Sequence, residues 1–370
     1  MNSKYDYIVV GAGLSGAVIA RELVNKGKKV LVLEKRNRVG GQIATHIEDG
    51  IIIHDYGPHI FHTSYEDVWE YINKYSKTYP FVNMPLANYN GEIYNMPFNM
   101  NTFKQLWGVT TPEEAKKIID DEVAKEGIGE PRNLEEQALK LVGRTIYEKL
   151  IKGYTEKQWG RKCRDLPSFI IKRLPLRFEY NNNYFNDKYQ CEVDGGFSSL
   201  IDNLLKGIEV KTGVDYLSNR EHWNQLGESV IYTGMIDAFF DFQYGQLEYR
   251  SLRFETKKLN IPDFQGNPVV NYTSSKEPYT RITEHKHFDP NCKNNTTTFV
   301  SYEYPAKYEA GNDPYYPVID DKNTALFNKY VELSKTLPQK TYFAGRLGNY
   351  KYYDMDDAIK EALSLVEKLG

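Results

Sequence analysis

The stretch Gly11-Ala12-Gly13-Leu14-Ser15-Gly16 stands between an apolar run, Tyr7-Ile8-Val9-Val10, and a segment of helical periodicity that reaches about Lys26. Each glycine of this G-x-G-x-x-G has its own task. Gly11 permits a tight turn, Gly13 lets backbone approach a pyrophosphate at the helix N-terminus, and Gly16 lets helix and strand pack closely. The next apolar run, Val30-Leu31-Val32-Leu33, ends at Glu34, about eighteen residues after Gly16. A carboxylate there accepts hydrogen bonds from both hydroxyls of an adenosine ribose. Strand, turn, helix, strand and acid in register point to a bound dinucleotide, where a lone glycine triplet could be a turn that merely needs small residues.

The residues after Glu34 discriminate between dinucleotides. Glu34-Lys35-Arg36-Asn37-Arg38-Val39-Gly40-Gly41 resembles the extended FAD signature of flavoproteins of the amine oxidase and glutathione reductase type. An acid at position 34, in place of an arginine receiving a 2′-phosphate, speaks against NADP at this site. No second G-x-G-x-x-G follows a strand, so a reducing nicotinamide, NADH or NADPH, is expected to reach a flavin from solution.

With 370 residues, two or three domains are expected. A mean hydropathy of −0.60 and the lack of a long apolar run give no support to a membrane span. The first strand begins within a few residues of the start, which leaves no room for a signal peptide. Cys163, Cys191 and Cys292 are widely spaced without a C-x-x-C pair, as reduced cytosolic thiols would be, so a cytoplasmic location is expected and a dithiol mechanism is not. A net charge of −3 argues against nucleic acid, and no metal site is expected. Thirty tyrosines suggest surfaces that stack on rings and hydrogen-bond at their edges, which suits a nucleotide or a sugar.

Along the chain, Gln42 to Ile53 reads as a short hairpin, Glu66 to Tyr75 as a helix, and Leu86 to Pro97 as a hairpin turning at Asn90-Gly91. Helical character runs from about Asn101 to Gly153, with Pro112 opening one helix behind Thr110 or Thr111 and Asn133 beginning another. Asp165 to Tyr189 reads as irregular, its first part a long loop. Strands are expected at Val210 to Tyr216, Val230 to Thr233, Ser251 to Glu255, Val269 to Tyr272, Thr280 to Glu284 and Thr297 to Tyr304, together forming an antiparallel sheet. A last strand at Lys340 to Arg346 and a helix from Asp354 to Leu369 would complete the first domain. The fold class is therefore α/β: a discontinuous Rossmann-like FAD domain (1–80, 190–235, 310–370), an inserted helical domain (98–175) and an antiparallel-sheet domain (81–97, 176–189, 236–309).

Several long stretches carry a more specific resemblance. Gly57-Pro58-His59-Ile60-Phe61-His62-Thr63, Pro97-Phe98-Asn99-Met100-Asn101-Thr102, Lys152-Gly153-Tyr154-Thr155-Glu156-Lys157-Gln158-Trp159-Gly160, Ile170-Ile171-Lys172-Arg173 and Tyr350-Lys351-Tyr352-Tyr353-Asp354-Met355-Asp356 resemble the signature stretches of bacterial UDP-galactopyranose mutases. The resemblance spans nearly the whole chain. It implies a homodimeric flavoenzyme with an FAD domain, a helical domain and a six-stranded antiparallel sheet. The activity it implies is interconversion of UDP-galactopyranose and UDP-galactofuranose, for cell-surface glycan biosynthesis. The reduced flavin would act through a covalent N5–galactose adduct with no net oxidation.

On this resemblance Tyr154 stacks on uracil with Thr155 beside it, and Trp159 faces the sugar. Arg173 and Arg281 clamp the diphosphate, Tyr184, Tyr315 and Tyr352 contact it, and Asp354 stands near the sugar. His59 sits beside the flavin ring and, with the two arginines, forms the implied catalytic set. The implied cofactor residues are Gly11, Gly13, Ser15, Gly16, Glu34, Lys35, Gly41, Gln42, His59, Ile60, Arg346, Tyr352, Asp354 and Met355. Leu150 and Ile151 stand where some members carry a phenylalanine pair. A diphosphate leaving group needs cationic donors, and guanidinium is the better fork for phosphate oxygens. Glu156 and Lys157 read as a solvated helical face, and for His62 a satisfied loop histidine remains the alternative to a functional one. The FAD signature is shared with flavin-dependent oxidases and dehydrogenases of the amine oxidase superfamily, and a flavin-binding scaffold without turnover would share it too. The Tyr154 to Trp159 motif and the arginines are used together only by the mutase reading.

Overall fold

The computed structural model describes residues 4–171 and 176–370. Among these residues the glycine turn sits at the centre of a five-stranded parallel sheet. Its order is Glu209–Lys211, Val30–Leu33, Tyr5–Val10, Gly227–Tyr232 and Lys340–Phe343. Strands Val30–Leu33 and Tyr5–Val10 are nearly continuous apolar runs because both faces of a parallel sheet are covered. On one face lies helix Leu14–Asn25, with Ala17, Val18, Ile19 and Ala20 fully buried, packed against helices Phe197–Leu205 and Met355–Leu369. The other face is covered by a core rich in aromatics, including Tyr216, Phe239 and Tyr330.

Two strands expected in the antiparallel sheet belong to this parallel one instead. Glu209–Lys211, shorter than expected, pairs with Val30–Leu33, and Gly227–Tyr232 pairs with Tyr5–Val10, more than two hundred positions away in sequence. Short apolar runs carry no mark of their partner's direction, so spacing alone could not assign them.

The second large sheet has seven strands among the described residues, not six. Tyr316–Pro317, Tyr249–Leu259, Thr298–Lys307, Arg281–Glu284 and Val269–Tyr272 are antiparallel neighbours in that order. Val269–Tyr272 then pairs in parallel with Leu86–Tyr89, which forms the expected hairpin with Glu92–Asn95. Asn90 and Gly91, at φ 54° and 92°, supply the two positive dihedrals that a tight hairpin turn needs. Tyr316–Pro317 ties the segment after residue 310 to this sheet as well as to the parallel one. Smaller sheets are formed by Thr45–Glu48 with Ile51–His54 and by Phe61–Thr63, Tyr189–Val193 and Thr78–Pro80.

Helices Met100–Trp107, Pro112–Glu126 and Leu134–Ile146 begin at Asn99, Thr111 and Asn133, each of whose side chains accepts a first-turn backbone N–H. The chain then widens into a π-helical turn, Tyr147–Lys152, before helix Gly153–Trp159. These elements share a core in which Tyr147 and Phe103 are fully buried. The segment 176–188 is irregular but anchored: Arg177 N–H donates to Phe98 O, and Tyr184 N–H to Asn83 O. No helix among the described residues is long and apolar enough to cross a membrane.

Candidate active site

A continuous cavity of about 840 Å³ runs from the glycine turn, between the two large sheets, to helix Gly153–Trp159. At the first end Gly13 is the N-cap of helix Leu14–Asn25 and offers no side chain, so the helix's first N–H groups are left open to the cavity. Gly41, at φ 57°, closes against it: a Cβ on Gly41 would lie 2.8 Å from the Gly13 Cα. Buried Glu34 accepts the N–H groups of Ala12 and Arg36, both at 2.8 Å, which aims the carboxylate along the cavity wall. Ser15, Gly16, Gly11, Lys35 and Gln42 line this same end. Open helix N–H groups and a buried carboxylate thus stand side by side at this end of the cavity.

In the middle, His59 Nδ1 lies 2.9 Å from Gly57 O and so carries the proton. Burial, with the Arg346 and Arg281 charges, pushes this imidazole down to about 4, so Nε2 is an acceptor at neutral pH. Ile60 packs beneath it on Val269 and Phe288. Arg346 holds three segments together, donating to Gln42 Oε1 (3.2 Å), Tyr315 O (3.1 Å) and Tyr353 O (2.6 Å). Asp354 is the N-cap of helix Met355–Leu369 but accepts no N–H from it, so its carboxylate remains free at the cavity wall beside Met355. Burial pushes Asp354 up, against the influence of His62 and Arg346.

At the far end Arg281 has few partners for so many donors. Its Nη2 is 3.4 Å from the Tyr154 hydroxyl and its Nε 3.5 Å from Glu303 Oε2. Nε forms no hydrogen bond, although the side chain is only 23% exposed. A guanidinium held in a wall with most of its N–H groups unfilled is a site for an oxyanion. Tyr352 lines the wall nearby, its ring 5.6 Å from that of Tyr316 and nearly parallel to it. Tyr184 stands half-exposed at the rim.

The structure places three expected site residues differently. Thr155 is buried inside the fold, and Trp159 packs into the helical core; neither lines the cavity. Neighbours on a helix point about 100° apart, so the turn that aims Tyr154 at the cavity turns both of these away. Tyr315 faces Tyr56 and Asp313 at the dinucleotide end, whereas Tyr316 faces Tyr352, Glu303 and Arg281. Consecutive residues of an extended strand point to opposite sides, and sequence does not say which of a tyrosine doublet points inward. Arg173 lies outside the described residues.

Lys157 also departs from expectation. Its ammonium donates to Tyr272 O (2.7 Å) and Tyr279 O (2.8 Å), and burial pushes it down to about 8. Glu156 is likewise engaged, with Lys162 and the Cys163 N–H. Lys157 thus pins helix Gly153–Trp159 to the sheet, where Gly153 is also essential: a Cβ there would meet Thr273 O at 2.3 Å. Lys157→Met leaves two carbonyls unpaired, a loss of about 1–3 kcal/mol. Melting temperature should fall by a few degrees, and KM for a ligand bound by Tyr154 should rise about tenfold with a smaller change in kcat. Unchanged melting and KM would show that other contacts hold the helix.

Two wall residues escaped sequence reasoning: Tyr316 and Glu303. Glu303 is buried in strand Thr298–Lys307, taking a hydrogen bond from Thr280 Oγ1 at 3.1 Å. A signal existed, since alternation places it on the same face as buried Phe299 and Ser301.

Comparison with known proteins agrees with this geometry. The family model for UDP-galactopyranose mutase matches residues 149–352. A “Probable UDP-galactopyranose mutase” of Klebsiella pneumoniae is 40% identical, covering 100% of this chain and 95% of that protein. The chain belongs to the UDP-galactopyranose mutase family. It is therefore grouped with enzymes of the isomerase class. Residues 9–75 match the NAD(P)-binding Rossmann-like domain. The dTDP-fucopyranose mutase of Escherichia coli is 38% identical, with 97% of each chain covered. A crystal structure of reduced UDP-galactopyranose mutase shares the fold, at a TM-score of 0.74 and 15% identity over 99% of this chain and 95% of that one.

Proposed function

We propose that the protein is a flavin-dependent mutase that interconverts UDP-galactopyranose and UDP-galactofuranose. The observation that carries this reading is the single cavity joining a pyrophosphate cradle at Gly13 and Gly41 to the unfilled guanidinium of Arg281 beside Tyr154. FAD fits the first end. The open N–H groups of helix Leu14–Asn25 would take its pyrophosphate, Glu34 its adenosine ribose, and His59, Ile60 and Arg346 would border its ring. Bound and reduced, FAD supplies a nucleophilic N5 for the anomeric carbon, so that the exchange of ring oxygens ends with no net oxidation.

The chain's own groups do the rest. Arg281 would hold the diphosphate and stabilise charge as UDP leaves, with Arg173 as its expected partner. The Tyr154 ring would stack on the base, and Tyr316 and Tyr352 would confine the diphosphate. His59, kept neutral, offers Nε2 as an acceptor beside the flavin ring. Three buried free cysteines agree with a cytoplasmic enzyme; on the family resemblance it would be a homodimer whose flavin NADH or NADPH reduces from solution.

The test is product analysis. Chemically reduced protein given UDP-galactopyranose should form UDP-galactofuranose without stoichiometric use of reductant, and oxidised protein should be nearly inactive. A second substrate reading rests on the E. coli relative, whose name specifies dTDP-fucopyranose. Conversion of that compound alone would overturn UDP-galactose as substrate. Consumption of oxygen with either sugar would favour an oxidase.

A further inference from the structure

We propose that His62, aligned by Asp187, is a catalytic acid and base that moves the proton between the two sugar oxygens exchanged in the ring. This rests on the mutase reading above. His62 lies on strand Phe61–Thr63, its ring stacked on Phe185 with centroids 3.7 Å apart and planes inclined by 17°. Nδ1 is 2.8 Å from Asp187 Oδ2, and the other Asp187 oxygen accepts from Ser64 Oγ at 2.7 Å. A carboxylate only accepts, so Nδ1 carries the proton and the tautomer is set. The ring lines the cavity and its side chain keeps 15% exposure, which leaves Nε2 as the nitrogen that faces the cavity.

A carboxylate, a histidine aligned by it and an open Nε2 make up the acid–base arrangement of many hydrolytic sites. A loop histidine held only for structure needs neither the oriented partner nor the open nitrogen. The charged groups around the ring come from two other segments: Asp187 from 176–188, and Asp354 and Asp356 from the start of the last helix. All three are acids. Guanidinium does not release a proton, and His59 is held neutral.

The proton balance closes. With C1 taking the electron pair that bound reduced flavin would supply, the C1–O5 bond breaks, its own pair stays on O5, and O5 takes the proton from Nε2 of the imidazolium form. When the O4 hydroxyl attacks C1, the C1–O4 bond forms and the hydroxyl proton passes to Nε2. Histidine ends as it began, and no oxidant or reductant is consumed.

The experiment compares the flavin-loaded parent with His62→Gln and Asp187→Asn. The parent must isomerise UDP-galactopyranose; an inactive parent sinks the mutase reading and this inference with it. In His62→Gln, flavin content and UDP-galactose affinity by calorimetry should stay within about threefold, while kcat falls by about 10²–10⁴-fold. Asp187→Asn should lose less and should displace one limb of the kcat–pH profile. Its histidine ¹⁵N spectrum should show a changed tautomer. A kcat within threefold of the parent in His62→Gln, or a fall in affinity as large as the fall in kcat, would overturn the proposal in favour of a structural role. Should His62→Gln fail to fold, the Asp187→Asn profile decides: an unmoved limb overturns it.

Discussion

Gly16→Val should empty the dinucleotide end of the cavity. A Cβ at position 16 would lie 2.0 Å from the carbonyl oxygen of Gly11 and 3.0 Å from its carbonyl carbon. Both are backbone atoms of the turn itself, so no side-chain rotation relieves the clash. Gly11 cannot retreat, because its own position at φ 103° brings a Cβ within 2.1 Å of Thr233 Oγ1, where only hydrogen now stands. Helix Leu14–Asn25 would have to move off the sheet, away from Val9 and the fully buried residues around it. The expected cost is at least about 3 kcal/mol, with a fall in melting temperature of at least about 5 °C. As the helix N-terminus leaves its place, the purified variant should hold less than about a tenth of the parent's flavin, read from its visible spectrum. Full flavin content at an unchanged melting temperature would remove the turn from cofactor binding. Gly13→Ala is the useful contrast, since its Cβ would sit 3.5 Å from Gly41 Cα, an ordinary contact in the fold, and would press only on a bound pyrophosphate.

The glycine turn shows where sequence was sufficient. Gly16 and Gly41 are each required by backbone of the glycine turn itself, so their reason is local and can be read from spacing, whereas Gly11 also makes room for Thr233 from a distant strand end. The same holds for helix starts: Thr111 and Asn133 act on backbone a few residues away. Hairpin Leu86–Tyr89 to Glu92–Asn95 was legible because Asn90-Gly91 carries its own turn chemistry. Glu34 was legible by its distance from Gly16, and its carboxylate is fixed by backbone at that end of the cavity.

Where the controlling partner is distant, sequence fell short. Gly227–Tyr232 was placed in the wrong sheet because its neighbour is the first strand of the chain. Lys157 looked solvated because a lysine on a short helix usually is; its two acceptors belong to a hairpin more than a hundred residues on. Tyr316 and Trp159 fell to orientation, since a motif names residues but not the side of the backbone they leave from. Cavity walls are built from such choices, and this is why the glycine end was read more fully than the Arg281 end.

Arg281 and Glu303 allow the other end to be tested with equal force, because removing the arginine damages two things that can be separated. Glu303 is 2% exposed, and Arg281 is the cation beside it. Arg281→Ala leaves that carboxylate inside the protein with only Thr280 Oγ1 as a partner, which should cost about 3 kcal/mol of stability. On the proposed reading it also removes charge-assisted hydrogen bonds to the diphosphate, each worth about 1.5–3 kcal/mol, so kcat/KM should drop by at least about a hundredfold. Glu303→Gln in the same chain separates the effects. A neutral amide needs no countercharge, so Arg281→Ala with Glu303→Gln should recover most of the lost stability and none of the activity. Glu303→Gln alone frees the guanidinium from its carboxylate and should leave the diphosphate bound, with a smaller effect on kcat/KM. Melting curves and steady-state kinetics on the four proteins complete the cycle. Recovery of activity along with stability in the double variant would show that Arg281 serves only to neutralise Glu303, and the diphosphate would have to be sought at another wall of the cavity.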